Sequence, residues 1–128
     1  MGSKRFGELI VTKGKTVTIW HNPRCSKSRQ TLELLRENGI EPEVVEYLKT
    51  PPSQAEIASV IKLLNIEPRD LMRRGESVYK ELDLAGEADR RKLVAAMAEH
   101  PVLIERPVVL HNGKAALGRP PEDVLKIF

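Results

Sequence analysis

The run Thr16-Val17-Thr18-Ile19-Trp20, halted by His21-Asn22-Pro23 and followed within a few residues by a helix, limits the possible folds more than any other stretch of the chain. An unbroken β-branched and aromatic run of this length is too short for a helix and reads as a strand. Pro23 disfavours the α conformation at Asn22 and cannot donate to a ladder, so the strand stops there. After Cys25, Ser26-x-Ser28 opens a series of good helix formers that runs through Leu35 to Asn38-Gly39. Leu32 and Leu35 share one face, and Gly39 is the expected left-handed stop. Glu43 to Leu48 reads as a second strand. Strand, helix and strand make a βαβ unit, which requires the two strands to lie parallel, and its first loop, residues 21–28, carries the sole cysteine.

The rest of the chain determines how that unit is completed. Pro51-Pro52-Ser53 leads into a helix with Ile57, Val60, Ile61 and Leu64 on one face, and Ser53 with Glu56 forms a capping box. A short helix is expected over Glu67–Met72, opened by Pro68, and another over Asp89–Glu99, stopped by His100-Pro101. Val102-Leu103-Ile104 reads as an apolar run interrupted at Glu105-Arg106-Pro107. Val108–Leu110 and Ala115–Leu117 flank His111-Asn112-Gly113-Lys114, and Asn-Gly between apolar runs signals a tight hairpin. A last helix follows Gly118-Arg119-Pro120-Pro121 and carries Val124, Leu125 and Phe128. The order predicts an α/β domain over residues 16–128, a thioredoxin-like fold with a mixed sheet and an all-helical insertion at about 51–101. Residues 1–15 are expected to be a flexible extension.

Composition removes several function classes. The chain of 128 residues has 21 Lys+Arg against 18 Asp+Glu, too mild an excess to imply nucleic acid, and with 4% aromatics it offers no base-stacking platform. No stretch reaches the roughly 18 apolar residues of a membrane span, and no apolar secretory core stands at the N-terminus, so a cytoplasmic protein without membrane attachment is expected; a monomer is expected as well. One cysteine excludes an internal disulfide and a Cys-rich zinc site. The histidines have no ligand-like spacing, and no metal is expected.

Cys25 could be buried and inert, but its place argues for reactivity. It stands just before a helix, where unpaired N–H groups favour an anion, among Arg24, Lys27 and Arg29, with His21 four residues upstream. Ser28 gives Cys-x-x-Ser, with a hydroxyl where a dithiol would have its second sulfur. A nucleophile without an internal resolving thiol must be regenerated by an external one. A cysteine phosphatase would need an arginine six residues later, where Thr31 stands; a cysteine protease has no signature around His100 or His111. Arg73, Arg106 and Arg119 each sit at an element boundary. Arg106 and Arg119 flank the hairpin, which in this layout packs beside the first strand, so both can approach Cys25. Guanidinium forks hold tetrahedral oxyanions bidentately, so an oxyanion site is expected. Arg106-Pro107 is a candidate cis peptide.

His21-Asn22-Pro23-Arg24-Cys25-Ser26-Lys27-Ser28-Arg29, Tyr47-Leu48, Pro51-Pro52, Leu71-Met72-Arg73, His100-Pro101, Arg106-Pro107 and Gly118-Arg119-Pro120 together resemble the glutaredoxin-coupled arsenate reductase (ArsC-like) family, from about Thr16 to the C-terminus. The resemblance implies reduction of arsenate to arsenite, with arsenate or a similar oxyanion as the bound partner, glutathione as co-substrate, glutaredoxin as protein partner and no tightly bound cofactor. It places the nucleophile on Cys25, the histidine that assists its ionisation on His21, the oxyanion-binding arginines on Arg73, Arg106 and Arg119, and the cis proline on Pro107. Asn22, Ser28 and Arg29 fall in the supporting loop. Ser26-Lys27 stands where arsenate-detoxifying members resemble Gly-Thr, a form resembling a separate subgroup. Two other readings stay open: a monothiol protein of the same fold acting on another electrophile, and a non-enzymatic regulator that binds a protein such as RNA polymerase.

Overall fold

The computed structural model describes residues 17–128. Thr16 and the extension expected at 1–15 lie outside the described residues. The chain divides into two compact units, one made of residues up to Glu46 together with Arg106–Phe128, the other of Tyr47–Glu105.

The first unit is built on a four-stranded mixed sheet. Strand β1 is Val17–His21, helix α1 is Ser26–Glu37, and strand β2 is Glu43–Glu46, parallel to β1. Strands β3, Val108–His111, and β4, Lys114–Leu117, form the antiparallel hairpin, and the sheet order is β2-β1-β3-β4. Val17 and Ile19 of β1 alternate onto one face, where they meet Leu35 of α1, Val109, Ala116 and Val124 in a dry cluster. This packing fixes α1 against the sheet and so fixes the loop that connects β1 to α1. Gly39, at φ 76°, ends α1 in the left-handed conformation that a glycine adopts without steric cost.

The hairpin turn determines what stands at its open end. Asn112 and Gly113 both have positive φ, 47° and 73°, as a two-residue turn matched to strand twist requires. His111 therefore pairs with Lys114 and Val108 with Leu117. Continued outward, this register sets Pro107 opposite Gly118 and Arg106 opposite Arg119. The hydrogen bonds agree: Gly118 N–H donates to the Pro107 carbonyl at 2.9 Å, and Arg119 Nε donates to the Arg106 carbonyl at 2.9 Å. The Arg106-Pro107 peptide is cis, as expected, and so is Arg119-Pro120.

The second unit contains the residues read as a helical insertion. Helix α2, Gln54–Leu64, carries the expected capping box between Ser53 and Glu56 and buries Ile57, Val60 and Ile61. Helix α3, Ser77–Glu81, was not evident in the sequence, and helix α4 is Arg90–Glu99, capped by Asp89. Arg69 explains how the patternless segment around α3 is held: its guanidinium donates to Tyr79 Oη and to the carbonyls of Leu84 and Glu87.

Several sequence expectations need correction. The second strand ends at Glu46, two residues early, and the expected helix at 67–72 is a 3-10 turn, Pro68–Leu71. The apolar run Val102-Leu103-Ile104, to which the sequence reading assigned no element, is mostly a 3-10 turn, Pro101–Leu103, with Ile104 making a lone bridge to Met72. Burial of Leu103 and Ile104 accounts for their apolar character without a strand. The C-terminal helix is also 3-10, Pro121–Ile127.

Candidate active site

Cys25 is the N-cap residue of α1, in extended conformation, and is partly buried. The loop that leads to it is closed by its own polar groups. Asn22 Oδ1 accepts from the N–H of Arg24 at 3.0 Å, the Asn22 carbonyl accepts from the N–H of Cys25 at 3.0 Å, and Arg29 Nη1 donates to the Pro23 carbonyl at 2.9 Å. An Asx turn followed by a brace from the helix leaves the thiol little freedom of position.

Partial burial by itself would push the Cys25 thiol up. It is opposed by the backbone N–H of Ser28, by the charge of Arg106 and a hydrogen bond from its guanidinium, and by the backbone N–H of Lys27, and the net shift is downward. The first turn of α1 and one arginine from the far end of the hairpin thus stabilise a thiolate.

His21 and Ser28 form a second layer under the loop. Both are buried, and Ser28 Oγ lies 2.6 Å from His21 Nδ1 while accepting from the N–H of Asn22 at 3.0 Å. Burial lowers the His21 pKa, Glu46 beside it in the sheet opposes that, and Arg36 and Arg29 add to the lowering. The ring is therefore neutral at pH 7. A neutral ring carries one proton, and in the tautomer that bears it on Nε2 the Nδ1 atom accepts and the Ser28 hydroxyl donates. The groups that favour the Cys25 thiolate are Ser28, Lys27 and Arg106, whereas the His21 ring is engaged by Ser28. The hydroxyl of Cys-x-x-Ser is fully buried and already bonded on both sides.

Of the other expected residues, the structure brings Arg106 to Cys25 and ties Arg119 to the Arg106 backbone, with Pro107 between the arginine and the hairpin. Arg73 stands in the second unit, where its guanidinium bonds Glu76 and lies 3.9 Å from Glu105. Gly118 and Thr31 were not among the expected residues, although Gly118 is part of the Gly-Arg-Pro motif. Among the described residues, no group of three or more His, Cys, Asp or Glu is placed to hold a metal ion. No described helix is long and apolar enough to cross a membrane.

Comparison with known proteins points the same way as this geometry. The profile of the ArsC family matches residues 20–127. The chain is 55% identical over 115 residues to the uncharacterized protein YfgD of Escherichia coli K12, covering 88% of this chain and 97% of that one. It is 50% identical over 110 residues to an arsenate reductase of Neisseria meningitidis, covering 84% and 94%. The solved structure of an arsenate reductase from Vibrio cholerae superimposes with a TM-score of 0.85 at 53% identity, over 88% of this chain and 97% of that chain.

Proposed function

The chain belongs to the ArsC family, and from that premise we propose that it is a thiol-dependent arsenate reductase whose nucleophile is Cys25. The observation that carries this reading is a lone thiol at the start of α1, with two helix N–H groups and the Arg106 guanidinium directed at it and Arg119 tied to the Arg106 carbonyl. A thiolate attacks arsenic only if the oxyanion's negative oxygens are neutralised, which is the work of guanidinium forks. Arg73 is carried into this reading by the sequence resemblance alone.

In the proposed reaction the Cys25 sulfur forms a bond to arsenic and an oxygen leaves as water. Reduction of arsenic from +5 to +3 takes two electrons, and one thiol cannot supply both. With Cys25 as its one cysteine, the chain has no second thiol to resolve the adduct. The glutathione thiol then forms a second sulfur–arsenic bond as another arsenic oxygen leaves with its proton as water, and a glutaredoxin thiolate attacks the glutathione sulfur, breaking the bond from that sulfur to arsenic. The mixed disulfide departs, the electron pair stays on arsenic, and hydrolysis releases arsenite and the Cys25 thiolate. His21 and Ser28 are positioning residues in this scheme: they hold the loop while the Ser28 N–H faces sulfur. The proposal keeps the expectation of a cytoplasmic monomer without tightly bound cofactor, a reducing setting being what an external thiol reductant needs.

Intact-mass measurement tests the first steps. Incubation with arsenate and glutathione, without glutaredoxin, yields an adduct on Cys25 that is absent when arsenate is left out or when Cys25→Ser is used. An adduct of equal yield without arsenate contradicts the assignment.

A further inference from the structure

Gly118 lies where three pieces of the first unit converge. It is buried, and its N–H closes the open end of the hairpin on the Pro107 carbonyl at 2.9 Å. A Cβ at this position would stand 2.5 Å from Thr31 Oγ1 on α1, 2.7 Å from Pro107 Cγ and 3.1 Å from Pro107 Cδ. Two of these separations are shorter than carbon tolerates, and neither neighbour is free to swing aside. Thr31 is fully buried with Oγ1 donating to the Lys27 carbonyl at 2.8 Å, and Pro107 is a buried ring. The φ of Gly118 is outside the left-handed region, so the missing side chain and not the backbone angle is what the site requires.

The three pieces are the ones that make the thiol site. Thr31 is bonded to Lys27 in the first turn of α1, whose N–H groups face the sulfur. Arg106 precedes Pro107 and reaches Cys25, and Arg119 follows Gly118 and is tied to the Arg106 carbonyl. A wedge at 118 would part α1 from the Pro107 turn and shift Arg106, with the Arg119 tied to its carbonyl, relative to the thiol. We propose that Gly118 is a positioning residue for this site: by lacking a side chain it lets Thr31 and Pro107 close on each other, which sets Arg106 against Cys25. The inference rests on the reading of Cys25 as the nucleophile.

Gly118→Ala tests it through pH-dependent alkylation of Cys25 by iodoacetamide, read beside arsenate turnover with glutathione and glutaredoxin. The alkylation midpoint is expected to move up, and kcat/KM to fall about 10–100-fold, as for a misplacement of an ångström or less, while urea unfolding stays cooperative. Thr31→Ala combined with Gly118→Ala removes the 2.5 Å contact and is expected to recover part of both readings, with Thr31→Ala alone as reference. A folded Gly118→Ala chain with unchanged midpoint, or a double variant no nearer to the parent, overturns the proposal. Should Gly118→Ala not fold, the double variant carries the same two readings; failure of both to fold makes the glycine a folding requirement and also overturns it. A parent chain whose thiol titrates low yet reduces no arsenate removes the substrate reading and leaves the alkylation test standing.

Discussion

Arg106 and Cys25 are joined by charge and by a hydrogen bond, so titration of the thiol reports on the arginine. Arg106→Gln removes the charge and is expected to raise the midpoint of iodoacetamide alkylation, whereas Arg106→Lys keeps the charge, loses the fork and falls between. Ser28→Ala separates the hydroxyl from the N–H of the same residue. It leaves His21 Nδ1 and the Asn22 N–H buried without their partner, which costs about 1–3 kcal/mol in urea unfolding, while the backbone donor to Cys25 remains. The thiol midpoint should therefore move less in Ser28→Ala than in Arg106→Gln. His21 gives a pH dependence of known sign. Burial lowers its folded pKa below the ordinary 6.5, so the unfolded chain binds the extra proton first. Its contribution to stability is complete above about pH 6.5 and is lost as pH falls from there toward the lowered folded value. Chemical denaturation between pH 8 and 5 should show this loss, and His21→Gln should flatten it.

At the scale of elements, the hairpin turn decides the arginine geometry. Asn112-Gly113 was legible in the sequence because only a few residue pairs accept positive φ twice in succession, and its register puts residues 106 and 119 face to face. Gly113→Ala at φ 73° should cost about 1–2 kcal/mol in urea unfolding without moving the thiol midpoint, since the register survives. The βαβ unit was equally legible, from Pro23 and from the periodicity of α1. What escaped reading has physical reasons. Helix α3 has five residues and no apolar stripe, and it is held by Arg69 from elsewhere in the unit, which no local pattern announces. Leu103 and Ile104 are apolar because they are buried, and a short buried run does not tell strand from turn. The Gly118–Thr31–Pro107 junction joins residues distant in sequence, so its tightness emerges only from coordinates.

For the whole molecule, the cysteine count and the mixed sheet combine into one constraint. The four-stranded sheet sets a single thiol at the start of α1 and two arginines at the end of a hairpin, and the proposed reaction assigns binding and attack to these groups and the reducing electrons to an external thiol. The net charge of +3 is too small to imply a nucleic-acid partner, and one of the basic groups, Arg106, acts on that thiol. Coupled turnover tests this directly: arsenite released from arsenate by the full chain with glutathione, glutaredoxin and a regenerating system. Arsenate-dependent consumption of reducing equivalents is expected, requiring both thiol partners and falling to background in Cys25→Ser. Turnover that survives Cys25→Ser, or none from a parent chain whose thiol titrates low, would contradict it.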